Sequence, residues 1–337
     1  MKRHGDLFTE IAGMENLRLA YRNARKGKSW QRAIKAFDQD IEGNLLLIRD
    51  LLLNKTFHTS PYETKIITEP KTREIFILPF APDRIIHHAL MNVLEPIWQR
   101  LFIHDSYACI KGKGIHAGSR RTMEMVRRNK YVLQCDISKF YPSVNHDVLF
   151  SIVKRKIKCP DTIWLLQDII YSIGGGKNVP IGNYTSQWFG NLYMNELDQF
   201  LKHFRKARHY IRYCDDFLVF HDDKGWLHET AALIKAFLQD KLKFLMSRCE
   251  VYPTSQGVDF LGYKHFADHL LLRKSTATRI KRRLRELPGL LRSGRITPDQ
   301  MRSSVASIMG WLKWGNTHNL ARSVRIAEIA GGICAAG

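Results

Sequence analysis

Two adjacent carboxylates lie in the string His209-Tyr210-Ile211-Arg212-Tyr213-Cys214-Asp215-Asp216-Phe217-Leu218-Val219-Phe220. Apolar, strand-prone runs flank Tyr213-Cys214-Asp215-Asp216 on both sides, which predicts a hairpin carrying acids at its turn. Such a turn can present oxygen ligands at a sheet edge, the donor type that paired Mg²⁺ ions take. Asp-rich turns are also common as plain solvated turns, so the string gains meaning from its company. Upstream stands Tyr131-Val-Leu-Gln-Cys-Asp136-Ile137-Ser-Lys-Phe140-Tyr141, an apolar run leading into a third carboxylate and then an aromatic pair. Between the two lies a Gly-rich stretch from Gly174, closing with Ile181-Gly182-Asn183-Tyr184-Thr185-Ser186-Gln187 at the start of a helical pattern. After the acidic hairpin comes Gly257-Val-Asp-Phe-Leu-Gly-Tyr263.

The elements that must position these groups are readable from periodicity. Strands are predicted over 131–137, 210–213 and 216–220, with helices over 145–156 and 229–242 to pack against them. Residues 7–55 carry helical pattern, including an amphipathic segment over 41–53. Lys65 and Ile66 lead into a Pro70 turn and return through Lys71 and Arg73-Glu-Ile, a β-hairpin. Asp83 is placed to cap a helix running through His87, Leu90 and Leu94. From Arg273 the chain turns densely basic, Arg273-Lys-Ser-Thr-Ala-Thr-Arg279-Ile-Lys-Arg-Arg-Leu-Arg285, and helical pattern continues to about residue 330.

With 53 Lys+Arg against 32 Asp+Glu, the 337-residue chain carries a formal charge of +21. That surplus favours a polyanionic partner, nucleic acid first. An anionic membrane surface is the rival, but no apolar run approaches the ~18 residues of a spanning helix, and the N-terminus lacks a signal-peptide core. The six cysteines are scattered without a CxxC pair, which argues against zinc and disulfides and fits a reducing cytoplasm.

The order of motifs resembles the palm of a reverse transcriptase: first catalytic Asp, nucleotide-pocket loop, YxDD hairpin, primer-grip region. Arg73-Glu-Ile and Asp83-Arg84-Ile-Ile-His-His-Ala-Leu resemble the family's fingers motifs, so the likeness runs over roughly residues 60–265. It implies an α+β right-hand polymerase fold with fingers, an antiparallel-sheet palm and a helical thumb. The corresponding boundaries are 1–125 for N-terminal helices and fingers with the first palm helix, 126–270 for the palm with a returning fingers segment near 148–180, and 271–337 for the thumb. The activity implied is RNA-directed DNA polymerisation.

Residue by residue, the resemblance implies that Asp136, Asp215 and Asp216 are catalytic and hold two Mg²⁺ (Mn²⁺ as a substitute), with the Ile137 main chain beside them. Arg73 would meet the incoming triphosphate, since a guanidinium binds phosphate oxygens bidentately, with Arg84 near it. Tyr141 would stand under the sugar and exclude a 2′-OH, favouring dNTPs. Ile181, Gly182, Ser186 and Gln187 would line the nucleotide pocket, Gly182 letting backbone approach closely. Phe140 or Tyr141 must face the core on strand alternation. Lys243 and Arg248 are both open as the acid that protonates pyrophosphate. Lys274, Arg279, Lys281, Arg282 and Arg283 would track the primer–template duplex from a thumb helix whose core includes Trp311 and Trp314.

One segment departs from the common pattern. Most reverse transcriptases carry Gln-Gly and Ser-Pro where this chain has Ile181-Gly182 and Ser186-Gln187. Ile-Gly-x-x-x-Ser-Gln resembles the signature of reverse transcriptases of diversity-generating retroelements, which copy a template-repeat RNA with frequent errors opposite adenine. An Ile loses an orienting polar contact and loosens geometric discrimination; the choice of adenine does not follow from it. That resemblance implies a structured retroelement RNA, a cDNA primer–template duplex and a basic oligomeric accessory variability protein as partners. Another bacterial retroelement enzyme (group II intron-like or abortive-infection type) and a non-catalytic RNA-binding palm are the alternatives.

Overall fold

The computed structural model describes residues 3–68 and 71–323. Helices and three antiparallel sheets alternate along it. Strands β1 (Glu63–Ile67) and β2 (Arg73–Ile77) form a separate hairpin. Strands β3 (Tyr131–Ile137), β4 (His209–Tyr213), β5 (Asp216–His221) and β6 (Met246–Pro253) form the central sheet in the order β4-β5-β3-β6. Strands β7 (Val258–Phe260), β8 (Tyr263–His265) and β9 (Leu270–Leu272) make a small third sheet.

Both faces of β3, β4 and β5 are covered, which is why β3 and β5 read as near-continuous apolar runs, whereas the edge strand β6 is half-buried to exposed along its length. Leu133, Cys135, Ile137, Phe217 and Val219 face one way, into the large core shared with Leu192 and Tyr193 of the Tyr184–Gln199 helix and Leu238 of the Lys224–Leu242 helix. Val132, Ile211, Leu218 and Phe220 face the other way, against Met125 and Val126 of the Ile115–Arg128 helix and Val258 and Phe260 of β7. Strand periodicity of two separates the sets. The N-terminal helices, among them Met14–Arg25 and Ile41–Leu53, pack into the large core beside the Ile85–Gln99 helix.

Capping fixes several boundaries. Asn145 accepts the Val148 N–H at 3.0 Å and starts the His146–Lys156 helix. The helix expected over 229–242 begins earlier, at Lys224, because the Asp223 carboxylate takes the N–H groups of Gly225 and Trp226 at 2.7 and 3.2 Å. Asp83 does not cap. The chain enters the helix through a kink at Ala81, whose backbone is extended (φ −123°, ψ 145°), and the fully buried Asp83 carboxylate accepts the Ser60 N–H and hydroxyl at 2.9 and 2.7 Å. It ties the segment entering β1 to the start of the Ile85–Gln99 helix.

The C-terminal helices Lys274–Arg292 and Pro298–Leu312 build a third core from Ile280, Leu284, Leu287, Met301, Val305, Ile308 and Leu312. Trp311 and Trp314, expected inside that bundle, sit at its end and reach back to the rest of the chain. Trp311 packs against the bundle but stacks on Tyr263 of β8 at 5.3 Å; Trp314 is partly exposed and stacks on His116 at 4.4 Å. The bundle's aliphatics already fill its interior, so the indoles are left at the junction. The hairpin tip at Glu69 and Pro70 and the expected helical pattern over 324–330, with Cys334 beyond it, lie outside the described residues. Among the described residues no helix is long and apolar enough to cross a membrane.

Candidate active site

The ends of two neighbouring strands bring the three carboxylates together. Asp136 closes β3, and the Tyr213–Asp216 pair makes Cys214-Asp215 a two-residue hairpin loop between β4 and β5. Asp136 and Asp216 come one step after the Cys135–Phe217 pair, on the face opposite the large core. Their proximity is visible in their chemistry. Burial, then the charges of Asp136 and Asp215, push the Asp216 carboxyl up to about 8, against the pull of Arg273 and Gln134. Asp215 is raised by burial and by Asp136, an effect opposed by its own backbone N–H, by Cys214 and by the charge of Arg73. Asp216 Oδ1 is buried with no hydrogen-bond partner.

An orphaned carboxylate oxygen amid like charges is the environment a divalent cation relieves. The donors are all oxygens, which suits Mg²⁺ or Mn²⁺. Among the described residues no three His, Cys, Asp or Glu side chains converge as a ready metal cage. The Ile137 side chain is buried, so only its main chain can face a cation, next to a register shift between Asp136 and Ile137. Sequence reasoning missed Ser247 of β6, whose hydroxyl donates to Asp136 Oδ2 at 2.6 Å.

Tyr141 and Phe140 divide their roles, though by a helical turn and not by strand alternation. Lys139 adopts φ 46° and starts a short helix, Phe140–Ser143. Phe140 enters the core against Phe244, at 5.4 Å. The Tyr141 hydroxyl lies 3.6 Å from Cys214 Sγ, on the acidic turn itself.

The hairpin and the 181–187 loop are one unit. The Phe76 N–H donates to the Ile181 carbonyl at 2.8 Å. Gly182 has φ +123°, and a Cβ there would stand 2.5 Å from the Phe76 carbonyl oxygen. The close approach Gly182 permits is therefore to β2. Ile181 is half-exposed and lies outside the apolar cores. Ser186 is buried and donates to the Pro180 carbonyl at 2.6 Å, so it shapes the loop; Gln187 is exposed. Arg73 is exposed on β2, near enough for its charge to act on Asp215, whereas Arg84 braces the hairpin base by donating Nε to the Leu78 carbonyl at 3.0 Å.

Of the two candidates for the acid that protonates pyrophosphate, Arg248 does not qualify. Its guanidinium donates to Glu250 at 2.9 and 2.7 Å, and that contact holds its pKa above the ordinary arginine value despite burial. It is a fixed charge opposite Asp136 in the register. Lys243 is exposed at the end of the Lys224–Leu242 helix, in the left-handed region. A cleft of about 820 Å³ lined by Arg248, Tyr252, Lys264, Arg273 and Lys274 leads from this face to the C-terminal helices. On the Lys274–Arg292 helix, Lys274, Arg279 and Arg282 are exposed, Lys281 and Arg283 half-buried, and Arg282 lies 3.7 Å from Glu286.

Residues 69–265 match the reverse transcriptase (RNA-dependent DNA polymerase) family. The chain therefore belongs to that family and is by family an RNA-directed DNA polymerase. It is 24% identical to the protein YkfC of Escherichia coli K12, over 65% of this chain and 70% of that one. It is 20% identical to the group II intron-encoded protein LtrA of Lactococcus lactis subsp. cremoris, over 73% of this chain and 54% of LtrA. To the retron Ec73 reverse transcriptase of E. coli it is 26% identical, over 44% of this chain and 49% of that one. The matches thus span about half the length of the latter two relatives. Among solved structures, apo telomerase from Candida tropicalis superposes with a TM-score of 0.49 at 11% identity, over 66% of this chain and 50% of that one.

Proposed function

We propose that the chain is an error-prone reverse transcriptase of a diversity-generating retroelement, making adenine-mutagenic cDNA from a template-repeat RNA for targeted protein diversification. In this reading the central sheet is the palm, the β1–β2 hairpin belongs to the fingers, and the helices from Lys274 are the thumb. The observation that carries the polymerase part is that Asp136 and Asp216 share one face at the ends of neighbouring strands beside the turn residue Asp215, with Asp216 raised and its Oδ1 unpartnered. Magnesium held by Asp136, Asp215, Asp216 and the Ile137 main chain would supply the Lewis-acid charge for attack of the primer 3′-OH and release of pyrophosphate.

The chain's own residues do the positioning. Arg73 reaches the triphosphate from the hairpin, from where its charge opposes the rise of the Asp215 carboxyl. Tyr141 packs under the sugar from its place beside Cys214. The basic cleft and the Lys274–Arg292 helix hold the duplex backbone by phosphate neutralisation. The finer reading rests on Ile181, an aliphatic side chain outside the core on a loop bonded to the fingers hairpin. A pocket wall there offers contact without a directional hydrogen bond, which narrows the free-energy gap between right and wrong pairs. The retroelement RNA and a basic oligomeric accessory protein are the partners this reading requires.

The test is primed extension on a defined RNA with Mg²⁺ and dNTPs, with the cDNA sequenced for errors by template base. Errors concentrated opposite adenine support the assignment. Faithful cDNA keeps the polymerase and moves the chain to another bacterial retroelement type. Asp215→Ala is expected to abolish synthesis while RNA binding persists; synthesis surviving that change defeats the catalytic reading.

A further inference from the structure

The β4–β5 turn carries backbone strain. Cys214 has φ +59° while Asp215 does not have positive φ, the pattern of a type II′ turn, whose first central position favours Gly. A cysteine there persists only if its surroundings over-determine it. Types II′ and I′ differ by a flip of the middle peptide, here the one joining Cys214 to Asp215.

That peptide is held from beneath the sheet. Arg212 is fully buried on the face opposite Asp216. Its Nη1 donates to the Cys214 carbonyl at 3.0 Å. The guanidinium is itself locked: Nε and Nη2 donate to the two Asp198 oxygens at 2.8 and 2.6 Å, and Nη1 also meets Asn191 Oδ1 at 3.2 Å. Asp198 and Asn191 share the Tyr184–Gln199 helix, and Tyr210 donates to Asp198 at 2.7 Å. In a trans peptide the carbonyl and the following N–H point oppositely. Pinning the Cys214 carbonyl inward therefore sends the Asp215 N–H outward to its own carboxylate, where it opposes the rise that burial causes.

We propose that Arg212, anchored by Asp198, is a positioning residue for the metal-binding carboxylates: it selects the turn geometry that aims Asp215 and Asp216 at the cation. Arg212 touches neither cation nor substrate. The proposal rests on the assignment of Asp215 and Asp216 as metal ligands.

The test uses the full chain and Arg212→Met/Asp198→Asn, which removes both buried charges together, since a single deletion leaves an unpaired one. Mn²⁺ affinity is read by electron paramagnetic resonance, with Asp215→Ala as the reference for a lost ligand. Duplex affinity and the thermal unfolding midpoint are controls, and single-turnover extension is read alongside. The clamp predicts Mn²⁺ binding weakened threefold or more and extension at least tenfold slower, with duplex affinity within twofold of wild type. Unchanged Mn²⁺ affinity in the folded double variant overturns it, whatever the rate does. If the double variant does not fold, Arg212→Lys keeps the charge balance but loses the fork geometry, and the same Mn²⁺ criterion decides. A wild-type chain that binds Mn²⁺ but makes no DNA even with the retroelement RNA and the accessory protein supplied defeats the polymerase reading separately, and the Mn²⁺ comparison still judges the clamp.

Discussion

Asp216 holds a proton that an ordinary aspartate would have lost. Its carboxyl is pushed to about 8, from a usual 3.8, by burial and two neighbouring carboxylates. In EDTA the folded state therefore keeps a proton at pH values where the unfolded chain has released it. The sign follows from linkage: stability from this group is fully present below about pH 4 and is lost as pH rises through about 8. Asp216→Asn removes that loss and is expected to raise the EDTA melting temperature at pH 8 by a few degrees, roughly the shift one or two kcal/mol produces in a chain of this size. Calorimetry at pH 5 and pH 8 checks it; an equal effect at both values would mean the site is not a strained acid cluster. Mg²⁺ must displace the same proton, so added Mg²⁺ should stabilise the wild type more at pH 8 than at pH 6. At Ile181, replacement by Gln restores a polar group to the proposed pocket wall and is expected to reduce misincorporation with extension largely intact. Sequencing of cDNA decides, and an error spectrum unchanged at every template base would sink the idea.

At the scale of elements, the hairpin that carries Arg73 and the loop that carries Ile181 are joined by the Phe76–Ile181 hydrogen bond and by the absence of a side chain at Gly182. Gly182→Ala puts a methyl 2.5 Å from the Phe76 carbonyl oxygen at φ +123°, so loop and strand must separate. Steady-state kinetics should show a KM for dNTP raised about tenfold, the order of one lost hydrogen bond plus backbone strain. The pattern of small residues at 182 was legible in the sequence, but its reason was not. From the sequence, Gly182 is expected to let backbone approach a nucleotide; in the fold it also lets the strand 106 residues upstream come close. Asp83 is a similar case: helix-start chemistry read locally, while the partner, Ser60, comes from across a hairpin. The aromatic pair Phe140-Tyr141 divides as foreseen, by a helical turn that the left-handed Lys139 initiates.

For the whole molecule, part of the +21 charge lies on the proposed duplex path: at Lys264 and Lys274 of the cleft, whose Arg248 and Arg273 are paired with Glu250 and Asp259, and along the Lys274–Arg292 helix. Arg279→Glu/Lys281→Glu/Arg283→Glu should weaken primer–template binding without base preference and flatten the slope of log K against log salt by about 2–3. Anisotropy titrations over a salt series measure that; a slope equal to wild type would place the duplex elsewhere. Trp311 and Trp314 belong to this scale too. Trp311 stacks on Tyr263 and Trp314 on His116, so the two indoles couple the C-terminal helices to the small third sheet and to the Ile115–Arg128 helix.

By itself the sequence determined the chemistry-bearing types and their order: an acid after a strand, a Gly-bearing loop before a helix, an acidic pair in a hairpin, a basic helical stretch. Those signals are local, because strand alternation, turn composition and charge runs are written in consecutive residues. It also determined the α+β character. Tertiary structure alone decided which groups act on one another across distance. Ser247 reaches Asp136 over 111 positions, and Asp198 locks Arg212 from a helix on the far face of the sheet. An arginine inside an apolar strand was the one visible sign of that buried pair, since a charge is taken out of water only where a partner compensates it. The partner's identity, the raised carboxyl of Asp216 and the turn geometry at Cys214 depend on which surfaces exclude water together, and consecutive residues do not record that.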